Sequence, residues 1–332
     1  MDEKDNASQK KRKRSLFFRS FWKDGKGVDK SDEIKIDEYN SKNFFRLFAR
    51  RIRYIVKINW LYIFGNFPIF ALLLVISGNF HHAAIAPTSQ FYPVLYGIKT
   101  ISGASPALAP ALGIHGIMGT ATLFSWVDFV LLGVSALLIV TFGLVNTGCA
   151  YLMKTLVRGE HLFMWLDFKG AVKQNFRQGL ILGVIDAAIL GLSAYAISFY
   201  LANYNTYFIL FYASIAMLAI YMFMRFYMYN LLVTFDLSIF KILKNSFIFA
   251  MIAPGKNFLA LLIIIALIGI SFLLSTLFLP IGIILFLIIL VSACSYVYTY
   301  ITYPKIKAVM IDPYYPNYGK EEAEDEQNED NA

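Results

Sequence analysis

The sequence predicts an all-α polytopic membrane protein: six transmembrane helices laid out as three outward hairpins, with amphipathic helices on the cytoplasmic side. Composition is the first reason. Hydrophobic residues make up 58% of the 332 positions and charged residues 16%, against roughly 25% charged in a soluble domain. The second reason is local. Not one charged side chain lies between Lys256 and Lys305, an interval of 48 residues. As helix it would extend about 72 Å at 1.5 Å per residue, whereas one crossing needs about 30 Å. The interval therefore crosses twice, with Pro280 and Gly282 supplying the turn. Backbone groups in lipid have no water to bond, so spans are helices or closed barrels. Unbroken Leu/Ile/Phe runs exclude the alternation of a barrel. The third reason is the distribution of Lys and Arg, which sets orientation.

The elements follow in order. Residues 1–43 are charged, contain Gly25 and Gly27, and read as a largely disordered cytoplasmic region. Lys10 to Arg14 is a basic run followed by Leu16-Phe17-Phe18-Arg19, without the apolar core of a signal peptide. No cleavage is expected, and the first span is the targeting signal. Residues 44–57 mix Phe45, Phe48, Ile52 and Tyr54 with Arg46, Arg50, Arg51 and Arg53, the pattern of a basic helix on the membrane surface. The membrane domain is placed at 44–303. Its spans are expected at 59–77 (kinked at Pro68), 128–153, 180–200, 207–233, 257–279 and 281–303. A second amphipathic segment is expected at 236–251, closed by Pro254-Gly255. The tail, 304–332, ends in the acidic run from Glu321 to Asp330.

Lys and Arg alternate strictly between the connections. There are 17 up to Lys57, one in 79–127, five in 154–178, none in the turn 203–206, three in 234–256, none at Pro280 and three in the tail. Both termini are therefore expected in the cytoplasm. The outer connection 79–127 carries Phe91, Tyr92, Leu95, Tyr96, Leu108 and Ile117 among other apolar residues. That much apolar surface does not stay in water, so short helices or a re-entrant segment are expected there. Tyr296, Tyr300 and Tyr303 read as an aromatic belt at the inner end of the last span.

The pattern suggests one unit repeated three times: a basic amphipathic helix, then an outward hairpin. Its marks are Phe45-Arg46; Phe168-Lys169 with Lys173-Gln174-Asn175-Phe176; and Phe240-Lys241 with Lys244-Asn245-Ser246-Phe247. Repeats of this kind are common in proteins that move solutes, though any juxtamembrane helix rich in Phe and Lys looks similar.

Little catalytic chemistry is visible. No zinc-protease, nucleophile-elbow or phosphate-loop motif occurs. His81, His82, His115 and His161 do not form a helical ligand pair, and His81-His82 reads as a solvated loop pair before a metal site. Cys149 and Cys294 fall inside spans as small packing residues. Asp128 is expected to cap the second span. No cofactor, metal or nucleic-acid site is expected; the net charge of +8 is explained by basic residues at span ends.

Three groups remain as candidates. Lys169, Lys173 and Arg177, spaced by four, would share one helix face, either binding anionic lipid or a partner, or simply orienting the protein. Gly179, Gly183, Ala187 and Gly191 form a small-residue stripe of the kind that lets helices approach, with packing favoured over a substrate path. Asp186 and Arg225 are ionisable groups at membrane depth, where a charge costs about 2.5–3.5 kcal/mol and requires a partner or water. Asp186 lies 17 residues before Asn203, and Arg225 lies 19 after Thr206. The mismatch is about 3 Å of rise, so the two sit at similar depth and an ion pair is expected. The alternative is that Arg225 snorkels to the headgroups while Asp186 stays protonated or faces a water pocket.

The run Gly148-Cys149-Ala150-Tyr151-Leu152-Met153-Lys154, then Arg158-Gly159-Glu160, Trp165-Leu166-Asp167-Phe168 and Lys173-Gln174-Asn175-Phe176, resembles the YesL family of bacterial membrane proteins, whose function is unknown. Asn59-Trp60-Leu61-Tyr62 with Pro68 resembles its first span, and Asp24-Gly25-Lys26-Gly27-Val28 the N-terminal region of its longer members. The likeness covers most of 24–305, with a longer connection at 79–127 than in short members. It implies a bacterial plasma membrane and a link to carbohydrate uptake, and supplies no catalytic residues. The leading reading is a non-enzymatic protein that assists or regulates solute uptake, with the lipid bilayer and a sugar-uptake transporter or another membrane protein as partners. A transporter or substrate-binding membrane subunit in its own right is the alternative. A continuous polar cavity would favour the second; a sealed core with an exposed apolar flank would favour the first.

Overall fold

Asn40, in extended backbone, accepts a hydrogen bond from the Asn43 amide (2.9 Å) and opens helix α1, Ser41–Gly65, satisfying one orphan donor of the first turn. The basic segment expected at 44–57 and the first part of the span after it are thus one continuous helix. The ladder stops before Pro68, which cannot donate to it, and α2, Pro68–Ile76, restarts with that proline in its first turn. The structure is a computed structural model that describes residues 38–87, 89–91, 94, 110 and 118–313. The expectations for 1–37, for most of the outer connection and for the acidic tail lie outside those residues.

The chain divides into two compact units, Phe67–Leu138 and Met1–Asn66 with Ile139–Ala332. In the first, α2 packs against α3, Trp126–Ser135, and between them in sequence lie strands β1, His82–Pro87, and β2, Met118–Leu123. The strands pair antiparallel, from His82 opposite Leu123 to Pro87 opposite Met118. The short helices or re-entrant segment expected of this connection fall on residues outside those described; its two described ends form a ribbon. Its partners are 30 or more residues apart in sequence, so the periodicity of either segment alone does not reveal the pairing. Ser125 is the N-cap of α3 and Asp128 the third residue of a capping box, the Ser125 amide donating to Asp128 Oδ2 at 2.7 Å. Asp128 thus supports the cap without occupying it.

The second unit holds α1 with α4 (Leu138–Arg158), α5 (Met164–Gln174), α6 (Phe176–Ala202), α7 (Tyr204–Leu232), α8 (Ile239–Ile252), α9 (Pro254–Leu277), α10 (Leu279–Leu285) and α11 (Val291–Ile306); π-helical turns Phe286–Leu290 and Lys307–Ile311 flank α11. The amphipathic segment α8 ends just before Pro254-Gly255 as expected, and Pro254 itself begins α9, a first helical position that proline tolerates. The chain turns between α9 and α10 at Phe278 (φ −152°, ψ 101°), two residues before the expected proline. Gly282 instead lets α10 approach α9: a Cβ there would overlap the Ser275 side chain.

Two buried clusters hold this unit. One joins Ile55, Ile58 and Tyr62 of α1 to Leu152 and Met153 of α4 and Tyr296 of α11. The other joins Leu182 of α6, Tyr227 and Leu231 of α7, Ile242 and Phe249 of α8 and Ala260 of α9. Tyr296, Tyr300 and Tyr303 are buried against Tyr39, Phe44 and Phe48 and do not form the expected belt. Tyr296 donates to the Phe44 carbonyl (2.8 Å) and Tyr300 to that of Asn40 (2.9 Å). A tyrosine is as well suited to this packing as to an interface, because its ring is apolar and its hydroxyl needs only one acceptor.

The order of a short helix followed by long ones occurs twice, in α5–α6–α7 and in α8–α9–α10–α11. The motif alignment sets Asn175 opposite Asn245, but the first breaks the chain between α5 and α6 while α8 runs on to Ile252. In α1 there is no break at all between the basic segment and the apolar one.

Five helical stretches are long and apolar enough to cross a membrane: Trp126–Arg158, Phe176–Ala202, Tyr204–Leu232, Pro254–Leu277 and Leu279–Ile311. The count reaches six if Ser41–Gly65 and Pro68–Ile76 are one broken span. Their outward faces are large and apolar, with Phe272, Leu277 and Ile209 exposed, which is the surface a lipid solvent calls for. The chain is a multi-pass helical membrane protein by this criterion.

Candidate functional site: a carboxylate clasp and a basic cleft

On α7, Tyr221, Arg225 and Tyr229 recur every four residues and so share one face. That face meets Asp186 of α6, whose side chain is 0% exposed. Tyr221 donates to Asp186 Oδ1 at 2.7 Å and Tyr229 to Oδ2 at 2.8 Å. Arg225 Nε donates to both oxygens at 3.0 Å. The expected partners are therefore brought together, and two tyrosines complete the shell. A carboxylate offers about four lone-pair sites, and three donors reach them, the Arg225 Nε–H shared between both oxygens. The Arg225 side chain is 24% exposed, and its guanidinium lies 5.8 Å from the ring centres of Phe142 and Tyr229, where it gains cation–π attraction. The two tyrosines were not foreseen, although their spacing around Arg225 was readable.

The small-residue stripe of α6 works over half its length. A Cβ on Gly183 would overlap the backbone of Gly143 in α4, and one on Gly143 would overlap the Gly179 carbonyl. The two backbones touch there as small residues permit. Ala187 is half-buried, and a Cβ added to Gly191 would meet nothing within 4 Å.

Two polar braces were not foreseen. Asn59 of α1, 0% exposed, donates through Nδ2 to the carbonyls of Phe286 (3.1 Å) and Leu287 (2.8 Å), and its Oδ1 accepts from the Ser292 amide (3.0 Å). It serves the backbone groups that the π-helical turn displaces from the regular ladder. Asn257 of α9 accepts from Tyr227 (2.7 Å) and donates to the Ala250 carbonyl (3.1 Å), closing the end of α8. Two buried cations close other helix ends, where positive charge is favoured. Arg51 Nη2 donates to Gly159 O (3.0 Å) after α4, and Lys154 Nζ to Val233 O (2.9 Å) after α7.

Lys169, Lys173 and Arg177 do not share one helix face. Asn175 turns its side chain back to the Ala171 carbonyl (3.0 Å) and takes φ −107°, ψ 21°, so α5 ends and Arg177 lies in the first turn of the next helix. Lys169 lies 4.7 Å above the Trp165 ring. Lys173 and Arg177 instead line a cleft of about 640 Å³, formed by residues 173–178 and 232–236. His81 lies with its Nε2 3.9 Å from Asp128 Oδ1 and its ring edge-on to Phe124. Among the described residues no group of three His, Cys, Asp or Glu side chains could hold a metal ion. No protein-family model, no curated protein and no solved structure matches the chain.

Proposed function

We propose that the chain is a non-enzymatic protein of the bacterial plasma membrane that assists or regulates solute uptake, with carbohydrate as the solute class and membership of the YesL family as its origin. The observation that carries the reading is the filled shell of Asp186. With two tyrosine hydroxyls and the shared Arg225 Nε–H on its oxygens and no exposed side-chain surface, the carboxylate is closed to a solute, so it reads as a brace between α6 and α7. The apolar flanks then remain as the working surface, toward lipid and toward a sugar-uptake transporter or another membrane protein. The carbohydrate link and the family rest on the sequence resemblance alone. By the Lys/Arg count, the spans form three outward hairpins with α5, α8 and both termini in the cytoplasm.

Two measurements test this. Cells lacking the chain should take up a labelled sugar more slowly or with altered regulation, while the purified chain in sealed liposomes should pass none. Flux through the purified chain would establish the alternative, a transporter in its own right. For orientation, a cysteine replacing Lys99 should react with an impermeant reagent added outside, and cysteines replacing Lys173 or Lys241 should not. Outside labelling at position 173 would overturn the six-span arrangement.

A further inference from the structure

We propose that the cleft between the start of α6 and the end of α7 seats an anionic phosphate group, carried by a phospholipid headgroup. The inference rests on the membrane reading of the chain and not on its role in uptake. The cleft volume of about 640 Å³ falls in the range of about 300–1,000 Å³ usual for small-ligand sites. Lys173 and Arg177 are on its wall, both exposed, and neither is ion-paired among the described residues. Among the described residues Asp236 is the one carboxylate in the lining, and the two cations outnumber it. The opposite wall is the C-terminal end of α7, whose carbonyls would ordinarily repel an anion. Val233 O is held by the buried Lys154 ammonium, and Leu231 O accepts from the Thr234 and Phe235 amides. The negative end of one helix thus carries a buried cation, while the positive end of the other, α6, has no side-chain cap. A lipid is favoured over a soluble phosphate by what adjoins the cleft. Phe176 at its edge is exposed, and so are Ile181 and Val184 farther along α6, apolar surface for an acyl chain on the same helix as the polar seat for its headgroup.

The test uses the full chain in a neutral detergent. Short-chain phosphatidylglycerol, phosphatidylcholine of equal chain length, and free glycerol phosphate are titrated separately, with thermal unfolding as readout. Phosphatidylglycerol should raise the unfolding temperature at concentrations where phosphatidylcholine does not. The double variant Lys173→Gln with Arg177→Gln should weaken that response roughly thirtyfold if each cation contributes as it does at a membrane surface. Lys241→Gln with Lys244→Gln removes equal charge outside the cleft and should leave it unchanged. Asp236→Asn should strengthen it. The unfolding temperature of each variant without lipid reports whether it is folded. A response to glycerol phosphate equal to that for phosphatidylglycerol, and lost in the cleft variant, would keep the phosphate seat but reassign its occupant to a soluble molecule, overturning the lipid. A response that survives in the cleft variant, or falls equally in the Lys241/Lys244 control, would overturn the site itself.

Discussion

The pair α6–α7 and the segment α9 to α11 solve the same problem with different chemistry. Both are long apolar elements that must hold to neighbours without help from water exclusion, since lipid is as apolar as they are. The first pair uses a salt-bridged clasp, Asp186 with Arg225, Tyr221 and Tyr229. The second has no charged residue over 48 positions. It is held by neutral contacts: Asn59 on the π-helical turn, Tyr62 with Ser295 at 3.1 Å, and Asn257 with Tyr227. A charged clasp is stable only when every member is present, because removing one leaves a buried ion without compensation. A neutral brace loses hydrogen bonds one at a time.

The sharpest way to break this contrast is at Asp186. Asp186→Asn should destabilise the protein by about 3–5 kcal/mol, the usual cost of stranding one member of a buried pair. The partial exposure of Arg225 should pull the value toward the lower end. The double change Asp186→Asn with Arg225→Gln should cost less than the single one. Unfolding in detergent across the three proteins, unmodified, single and double variant, measures the difference, and a double variant worse than Asp186→Asn would show that the charge is not what matters.

The neutral brace should respond more mildly. Asn59→Leu removes two donors and one acceptor from the π-helical turn, and should cost about 2–4 kcal/mol at roughly 0.5–1.5 kcal/mol net for each of the three hydrogen bonds lost. Asn59→Asp should be worse than leucine, because it sets a carboxylate against two carbonyl oxygens. If leucine were tolerated without loss, the turn would be held by packing and the comparison would lose its second arm. Within the clasp, Tyr229→Phe should cost about 1.5–3 kcal/mol, the range for a hydrogen bond to a charged group, and Tyr221→Phe a similar amount.

The spans were legible in the sequence because a long uncharged run has few ways to exist, and the meeting of Asp186 and Arg225 followed from counting residues to the turn. The rest of the clasp was not read, since a tyrosine in a span looks like an interface residue until its spacing from a charge is checked. Tyr296 and Tyr300 were misread for the same reason. Asn59 could not have been placed: its partners lie 227 to 233 residues away, and no local pattern announces a π-helical turn. The ribbon of β1 and β2 was hidden for a related reason, its two halves being remote in sequence. Asn175 separated Arg177 from Lys169 and Lys173 by a helix end that the spacing of charges alone does not show.

The smallest expected effects come from the glycines of α6, where the contrast narrows to a single helix. Gly183 and Gly191 are eight residues apart on one stripe and look equivalent in the sequence. Gly183 abuts the Gly143 backbone, so an added methyl must push α4 away, and the obstacle is main chain that cannot swing aside. Gly183→Ala should therefore cost about 1–3 kcal/mol, as overpacking does, even though alanine is the better helix former by about 1 kcal/mol. At Gly191 nothing stands within 4 Å, so only the propensity acts and Gly191→Ala should be neutral or stabilising by up to about 1 kcal/mol. Opposite signs for the two substitutions in one unfolding assay would show that the stripe is a packing seam only where α4 reaches it. Equal signs would mean that Gly191 meets a second surface, another copy or another protein, in the membrane.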